Sequence, residues 1–216
     1  MDKKGSELVL EKIHKSAHNG MVAGIIFMVL FGPISLFGIF MTIRDGFHEY
    51  SIMFIFFVAL LALGIFLFVF NKKKSNDPMS SSIIKRNPNI LEMADELIEN
   101  KVYQDQFLIL SPRIIANATD ITQISYTDEV FLVYVYIHRT NGVIDTKKLN
   151  LETAHGMMGF NIIRQKDDQI NALMQNVLSH CRYSRAGYTP EGLAYANQMR
   201  ELWKKDQAAK NGNPNA

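Results

Sequence analysis

His14 and His18 stand four apart and would share one helix face, as a metal-binding pair does. No third ligand lies near them, and structural and catalytic sites need three or four. Solvated surface histidines are therefore the expectation, with no metal site. A second pairing comes from Asn141-Gly142, which separates two runs rich in β-branched and aromatic residues. Both residues tolerate φ > 0, so this is a hairpin signal. A two-residue loop would set Thr140 opposite Val143, His138 opposite Asp145, Tyr136 opposite Lys147 and Tyr134 opposite Leu149. His138 and Asp145 then form a cross-strand pair. A His-Asp pair can orient a general base, but the local pattern supplies no nucleophile for it. Cys181 follows His180, and adjacent helical residues do not face each other. Nothing nearby marks a lowered thiol pKa, so an inert thiol is expected. The chain holds no CxxC, HExxH, GxSxG, P-loop or GxGxxG motif. The expectation is a non-enzymatic protein without catalytic residues, cofactor or metal.

Charge offers one further constellation. Lys72, Lys73, Lys74, Lys85 and Arg86 cluster within fifteen positions, next to an apolar run. A basic cluster beside a membrane span can contact anionic lipid. The formal net charge of +2 hides this unevenness. From Pro88 to Asp206 there are twelve Lys and Arg against fifteen Asp and Glu. A nucleic-acid binder needs its basic residues on the folded domain, so nucleic acid is excluded as a partner. Lys147-Lys148 could also touch anionic lipid. Adjacent strand residues point to opposite faces, however, which favours plain solvation.

The elements that carry these residues divide into two kinds. Met21–Ile43 and Ser51–Phe70 are apolar runs without Lys, Arg, Asp, Glu or His. Each has the length a helix needs to cross about 30 Å of hydrocarbon. The lipid bilayer is thus the expected partner of a helical hairpin. Lys3, Lys4, Lys12 and Lys15 precede the first run, only Arg44 lies in the 44–50 connection, and Lys72–Lys74 follow the second. Lys and Arg are retained on the cytoplasmic side, so both termini should be cytoplasmic, in a multi-pass protein of the cell membrane. Phe47 and Tyr50 would meet the outer interface. A cleaved signal peptide fits poorly, because some 20 mixed-charge residues precede the first run. The lone Cys181 cannot form an intramolecular disulfide, which agrees with a reducing compartment.

Gly32-Pro33 should bend the first span, and Gly24, Ser35 and Gly38 would let a second helix approach closely. Ala59, Ala62 and Gly64 are a smaller counterpart on the second span. Ordinary membrane composition explains such residues without dimerisation. No ionisable residue lies inside either span, against a proton relay or ion pathway. Residues 1–20 form an N-terminal segment in which Leu8, Val9, Ile13 and Ala17 recur at helical spacing, a short helix for the inner surface.

Residues 71–87 read as a basic, Ser-rich linker, and 88–206 as the polar domain. Asn87 and Pro88 suit the cap and first position of a helix running to Asn100, with Leu91, Ala94, Leu97 and Ile98 as its apolar stripe. Strands follow at Val102–Leu110, Arg113–Ala118, Ile121–Tyr126, Val130–Thr140, Val143–Leu151 and Met157–Gln165. Asp167-Asp168 open a helix to His180 that buries Ile170, Leu173, Met174, Val177 and Leu178. Arg182–Tyr188 is a loop. Thr189 caps a last helix bearing Leu193, Ala196, Met199, Leu202 and Trp203 on one side. Residues 207–216 are expected to be a disordered tail.

The fold class is a membrane α-helical hairpin plus an α+β domain, a bent antiparallel sheet capped by C-terminal helices. Paired spans, the stretches YQDQFLILSPRIIA (Tyr103–Ala116) and ISYTDEVFLVYV (Ile124–Val135), and the helix after the last strand carry a resemblance. Over Met21–Cys181 the chain resembles small bacterial two-span membrane proteins with a pleckstrin-homology-like (PH-like, YcxB-type) cytoplasmic domain. Tyr126-Thr127-Asp128 matches the segment that enters a strand from a turn there. The resemblance implies a PH-like partial barrel and carries over no site residues. The function it suggests is protein or lipid interaction at the inner leaflet. The alternative is an accessory subunit of a larger transport or secretion complex, in which another membrane protein, or a second copy, packs on the spans. A membrane-bound enzyme of unrecognised class is the more distant rival.

Overall fold

A computed structural model describes residues 3–46 and 49–210. They form two compact units, one within residues 7–89 and one of residues 3–6 with 90–210. In the first unit, α1 (Gly5–Asp45) is one uninterrupted helix of 41 residues, about 62 Å at the usual rise. The separate surface helix expected before Met21 is instead the N-terminal part of α1, which runs on without a break through Asn19-Gly20. Pro33 sits inside the helix. Two residues on, Ser35 turns its hydroxyl back onto the Phe31 carbonyl at 2.7 Å, as a helical serine commonly does. Gly46, at φ +83°, ends the helix with its amide on the Thr42 carbonyl. α2 (Glu49–Asn76) follows; the side chains of Phe47 and Tyr50 lie outside what is described.

Small residues set the α1–α2 contact. A Cβ on Gly24 would stand 2.7 Å from the Gly64 carbonyl oxygen, and one on Gly64 would stand 2.7 Å from Phe27 Cβ. Gly38 leaves room for the Phe54 ring. Phe31 and Phe57 stack across the pair at 6.0 Å. The outward surfaces are apolar: Val29, Leu36, Phe56 and Phe66 are each more than half exposed. Both helices are long and apolar enough to cross a membrane.

The segment expected as a linker is largely helical. α2 runs on through Lys72–Lys74, a 3₁₀ turn covers Pro78–Ser80, and α3 spans Ser82–Arg86 with the Ser81 hydroxyl accepting from the Ile84 amide. Asn87 therefore ends α3 rather than opening the next helix.

In the second unit, α4 (Ile90–Glu99) buries Ile90, Met93, Ala94 and Leu97. The expected stripe is turned by about one position, since Leu91 and Ile98 are only half-buried. The unit's first residues join it, with the Ser6 amide donating to Asp95 at 2.7 Å. Eight strands follow among the described residues, not the six expected. One sheet orders β1 (Tyr103–Gln104), β2 (Leu108–Leu110), β3 (Ile114–Asn117) and β4 (Asp120–Tyr126) consecutively. Val102–Leu110 is broken because the Asp105 carboxylate accepts from the Phe107 and Leu108 amides, which turns the chain. The other sheet is ordered β7-β6-β5-β8, with β5 (Val130–Thr140), β6 (Val143–Thr153), β7 (Gly156–Asn161) and β8 (Arg185–Ala186). β8 pairs parallel to β5 inside the stretch expected as a loop. β7 ends at Asn161, which leaves Ile163 exposed.

The core lies between the sheets and under α5 (Asp167–His180). Leu110, Ile115, Val133, Leu149, Leu151 and Phe160 meet Ile170, Leu173 and Val177 there. Gly159 bridges the sheets: its carbonyl accepts from Asn117 at 3.1 Å and its amide donates to Gln123 at 3.2 Å. α6 (Pro190–Lys210) covers the opposite face of β5, where Ala196 packs with Phe131, Leu132 and Tyr134. Thr189 accepts from the Gly192 amide as its cap. Leu202, expected on the packed side, is half exposed. Residues 207–210, expected to be disordered, continue α6, and 211–216 fall outside the described residues.

Candidate functional site

The five basic residues read from the sequence lie in the helical unit. Lys72, Lys73 and Lys74 close α2, and Lys85 and Arg86 close α3. Cations at a helix C-terminus complement its dipole. Lys74 places its ammonium 4.4 Å from the Phe70 ring centre, and Lys72 lies 5.8 Å from that of Phe68. Such lysines lay their stems along an apolar helix and hold their charge at its end. All but Lys74 are exposed.

His138 and Asp145 do meet. The His138 Nδ1 stands 2.8 Å from one Asp145 oxygen, and the Thr140 hydroxyl donates to the other at 2.6 Å. The strand register is not the expected one. Asn141 (φ +51°) and Gly142 (φ +82°) make the tight turn, and Thr140 pairs with Val143. A bulge then places His138 opposite Thr146, Tyr136 opposite Lys148 and Tyr134 opposite Asn150. The extra residue is Asp145, which the bulge frees to reach back to both side chains. Its carboxyl is held below the ordinary range by the Thr140 hydroxyl first and His138 second. Lys147 is tied to Asp167 at 2.9 Å.

Cys181 is buried at the end of α5, and burial, aided by the charge of Asp128, pushes its thiol up to about 12. His14 approaches the Ser75 hydroxyl at 3.3 Å. Among the described residues no three His, Cys, Asp or Glu side chains converge as a metal site would require.

One concavity was not legible in the sequence. A groove of about 460 Å³ runs between the β4–β5 corner and α6, walled by Arg113, Tyr126, Glu129, Tyr183, Trp203 and Lys210. Glu129 is its deepest charge. Its carboxylate accepts from the Trp203 indole at 3.1 Å and the Ser125 hydroxyl at 3.5 Å. His155 Nε2 lies 3.4 Å away, and its ring meets Trp203 edge-on at 4.7 Å. The Ser125 hydroxyl is directed at the carboxylate. These groups satisfy a buried charge and fasten α6 to the sheet. Arg200 does the same a turn earlier, donating to the Thr153 carbonyl at 2.9 Å and pairing with Glu152. Burial, with the nearby charge of Glu96 next, raises the Tyr126 phenol, and Arg113 lies 5.8 Å from its ring centre. No local spacing announces this groove, because Glu129 and Trp203 are 74 positions apart.

Comparison of the chain with protein-family models, with curated proteins and with solved structures gives no match.

Proposed function

We propose that this is a non-enzymatic, membrane-anchored protein of the cell membrane. Its two long helices form a spanning hairpin, and its second unit is a PH-like domain for protein or lipid interaction at the inner leaflet. The observation that carries the reading is the apolar exterior of α1 and α2. Large side chains from Val22 to Ile43 and from Ile52 to Phe70 are exposed around both helices, a surface water does not tolerate on a folded protein. Support for the PH-like part comes from the strand order β1-β2-β3-β4 and β7-β6-β5, with α5 closing the space between the sheets. Lysine placement supports cytoplasmic termini, and Lys72, Lys73, Lys74, Lys85 and Arg86 are the residues we assign to anionic lipid.

The test uses the full chain in cells. Resistance to alkaline extraction, with labelling of residue 3 and residue 210 only from the cytoplasmic side, is the expected result. Release into the soluble fraction would sink the anchor. Changing the five basic residues to Gln should weaken association with anionic vesicles by about 1 kcal/mol per residue. Unaltered topology and binding would remove their assigned role.

One observation favours a second reading, an accessory subunit of a larger membrane complex. An apolar groove of about 230 Å³ beside Gly38, lined by Ile39, Thr42, Phe54 and Val58, offers a seat for another helix. A membrane partner that co-purifies in mild detergent, and is lost on Gly38→Leu, would support that reading over the lone anchor.

A further inference from the structure

We propose that the tip of the β5–β6 hairpin enters the lipid headgroup region of the bilayer that holds the helix pair. The inference rests on the membrane-anchored reading above and names the element of the polar unit that touches lipid.

The hairpin outruns its sheet. β7 stops pairing with β6 at Lys148, and β8 pairs with β5 only at Leu132 and Val133. From Tyr136 to Thr146 the two strands have only each other as sheet neighbours, since the Lys147 carbonyl still accepts from the Ile162 amide at 2.9 Å. The prong nevertheless exposes four large apolar or aromatic side chains: Val143 is 69% exposed, Tyr136 and Ile137 44% each, and Ile144 37%. Register explains the pattern. Val133 and Val135 face the core, and alternation continues that face to Ile137. Ile144 pairs with Arg139 two residues further on, so it joins the same face. The stripe that fills the core thus runs on past the end of the core.

Charge selects the occupant. Asp145 is the prong's one carboxylate, and it is occupied by His138 and Thr140. Lys147 is paired with Asp167, while Arg139 and Lys148 are exposed. Exposed cations beside protruding aliphatic chains complement an anionic headgroup layer over hydrocarbon. Tyr136 is a residue type enriched at that depth. Lipid needs no matching shape.

The experiment places an environment-sensitive fluorophore on Val143→Cys in the full chain, reconstituted in vesicles with one-third anionic lipid. Cys181 is buried and stays unlabelled. Expected are a blue shift and quenching by brominated acyl chains at position 143, with neither at the exposed α6 position Gln198→Cys. Adding Ile137→Ser and Ile144→Ser should reduce the quenching, and Arg139→Gln with Lys148→Gln should bring it down to the level seen in neutral vesicles. A label that stays water-like in a chain that resists alkaline extraction overturns the proposal. So does a blue shift without quenching by brominated lipid, which would mean a protein contact. A chain extracted by alkali would instead overturn the anchored reading on which the proposal rests.

Discussion

Phenylalanine behaves in opposite ways in the two units. Phe56 and Phe66 on α2 are each 61% exposed, while Phe131 and Phe160 in the sheets are 1% exposed. The same side chain serves as a surface in one region and as filling in the other. On the proposed anchored reading, what decides is the solvent each region is built for. In the helical unit the backbone satisfies itself within each helix, and the outside can be apolar where lipid replaces water. In the sheet unit the apolar faces have to be brought together, by α5 on one side of β5 and α6 on the other.

The comparison is broken most directly at these aromatic positions. Phe160→Ala should destabilise the polar unit by about 4 kcal/mol, since it removes a fully buried ring and leaves a cavity. Phe56→Ala should leave that stability unchanged. Denaturant unfolding of the full chain in detergent, followed through Trp203, measures both. Equal effects would mean that the two phenylalanines share one kind of environment.

The helix pair is sensitive to addition rather than removal. Gly24→Leu should cost about 3 kcal/mol of helix–helix association, because its Cβ would meet the Gly64 carbonyl and the Phe68 amide, both at 2.7 Å. Cross-linking between cysteines placed on α1 and α2 reads the loss. An undisturbed cross-link would show that the small residues are mere composition.

Legibility followed the range of the signal. The two apolar runs, the Asn141-Gly142 turn, and helix α5 with its buried face could be read because each depends on neighbours in sequence. Errors arose where a local cue had a competitor. Asn87-Pro88 looks like a helix start, but Asn87 was already claimed as the end of α3. The hairpin register followed from the loop, but a bulge at Asp145 shifted the pairing by one. Side-chain bonds to His138 and Thr140 hold that bulge, and strand alternation does not encode them. β8 is two residues long and exists only because β5 offers a free edge. The basic cluster was visible as composition, whereas the groove around Glu129 was not, since its walls come from four separate segments.

Within the polar unit the two covering helices differ in kind, and this sharpens the contrast. α5 is held chiefly by aliphatic burial, α6 by the packing of Ala196 on β5 together with polar contacts around Trp203 and Arg200. Trp203→Phe keeps most of the ring but withdraws the donor from the Glu129 carboxylate. It should cost about 2 kcal/mol, the range for a hydrogen bond to a charged group. Hydrogen exchange in α6 should rise before that in α5. Gly142→Ala should cost about 1 kcal/mol, because at φ +82° an added Cβ meets no neighbour yet strains the backbone. Thermal unfolding would show it, and lipid contact by the hairpin should survive.

The smallest effect separates exposed from buried titration. Asp145 sits at an exposed hairpin tip, and the Thr140 and His138 bonds hold its carboxyl below the ordinary 3.8. A carboxyl lowered in the folded state contributes stability above its unfolded value and loses that contribution as pH falls through the folded one. The stability gap between the native chain and Asp145→Asn should thus stay constant from neutral pH to about 4 and close at more acid values. Cys181 moves the other way. It is enclosed without a cation to stabilise a thiolate, so its thiol rises from 9.0 to about 12. A group raised in the fold contributes fully below its unfolded value and loses that contribution as pH rises. Cys181→Ser should therefore change the profile only above pH 9, and maleimide should label the native thiol only on unfolding. If Cys181 reacted at neutral pH while α5 remained protected, the contrast between a sealed core and an open prong would fail at its clearest point.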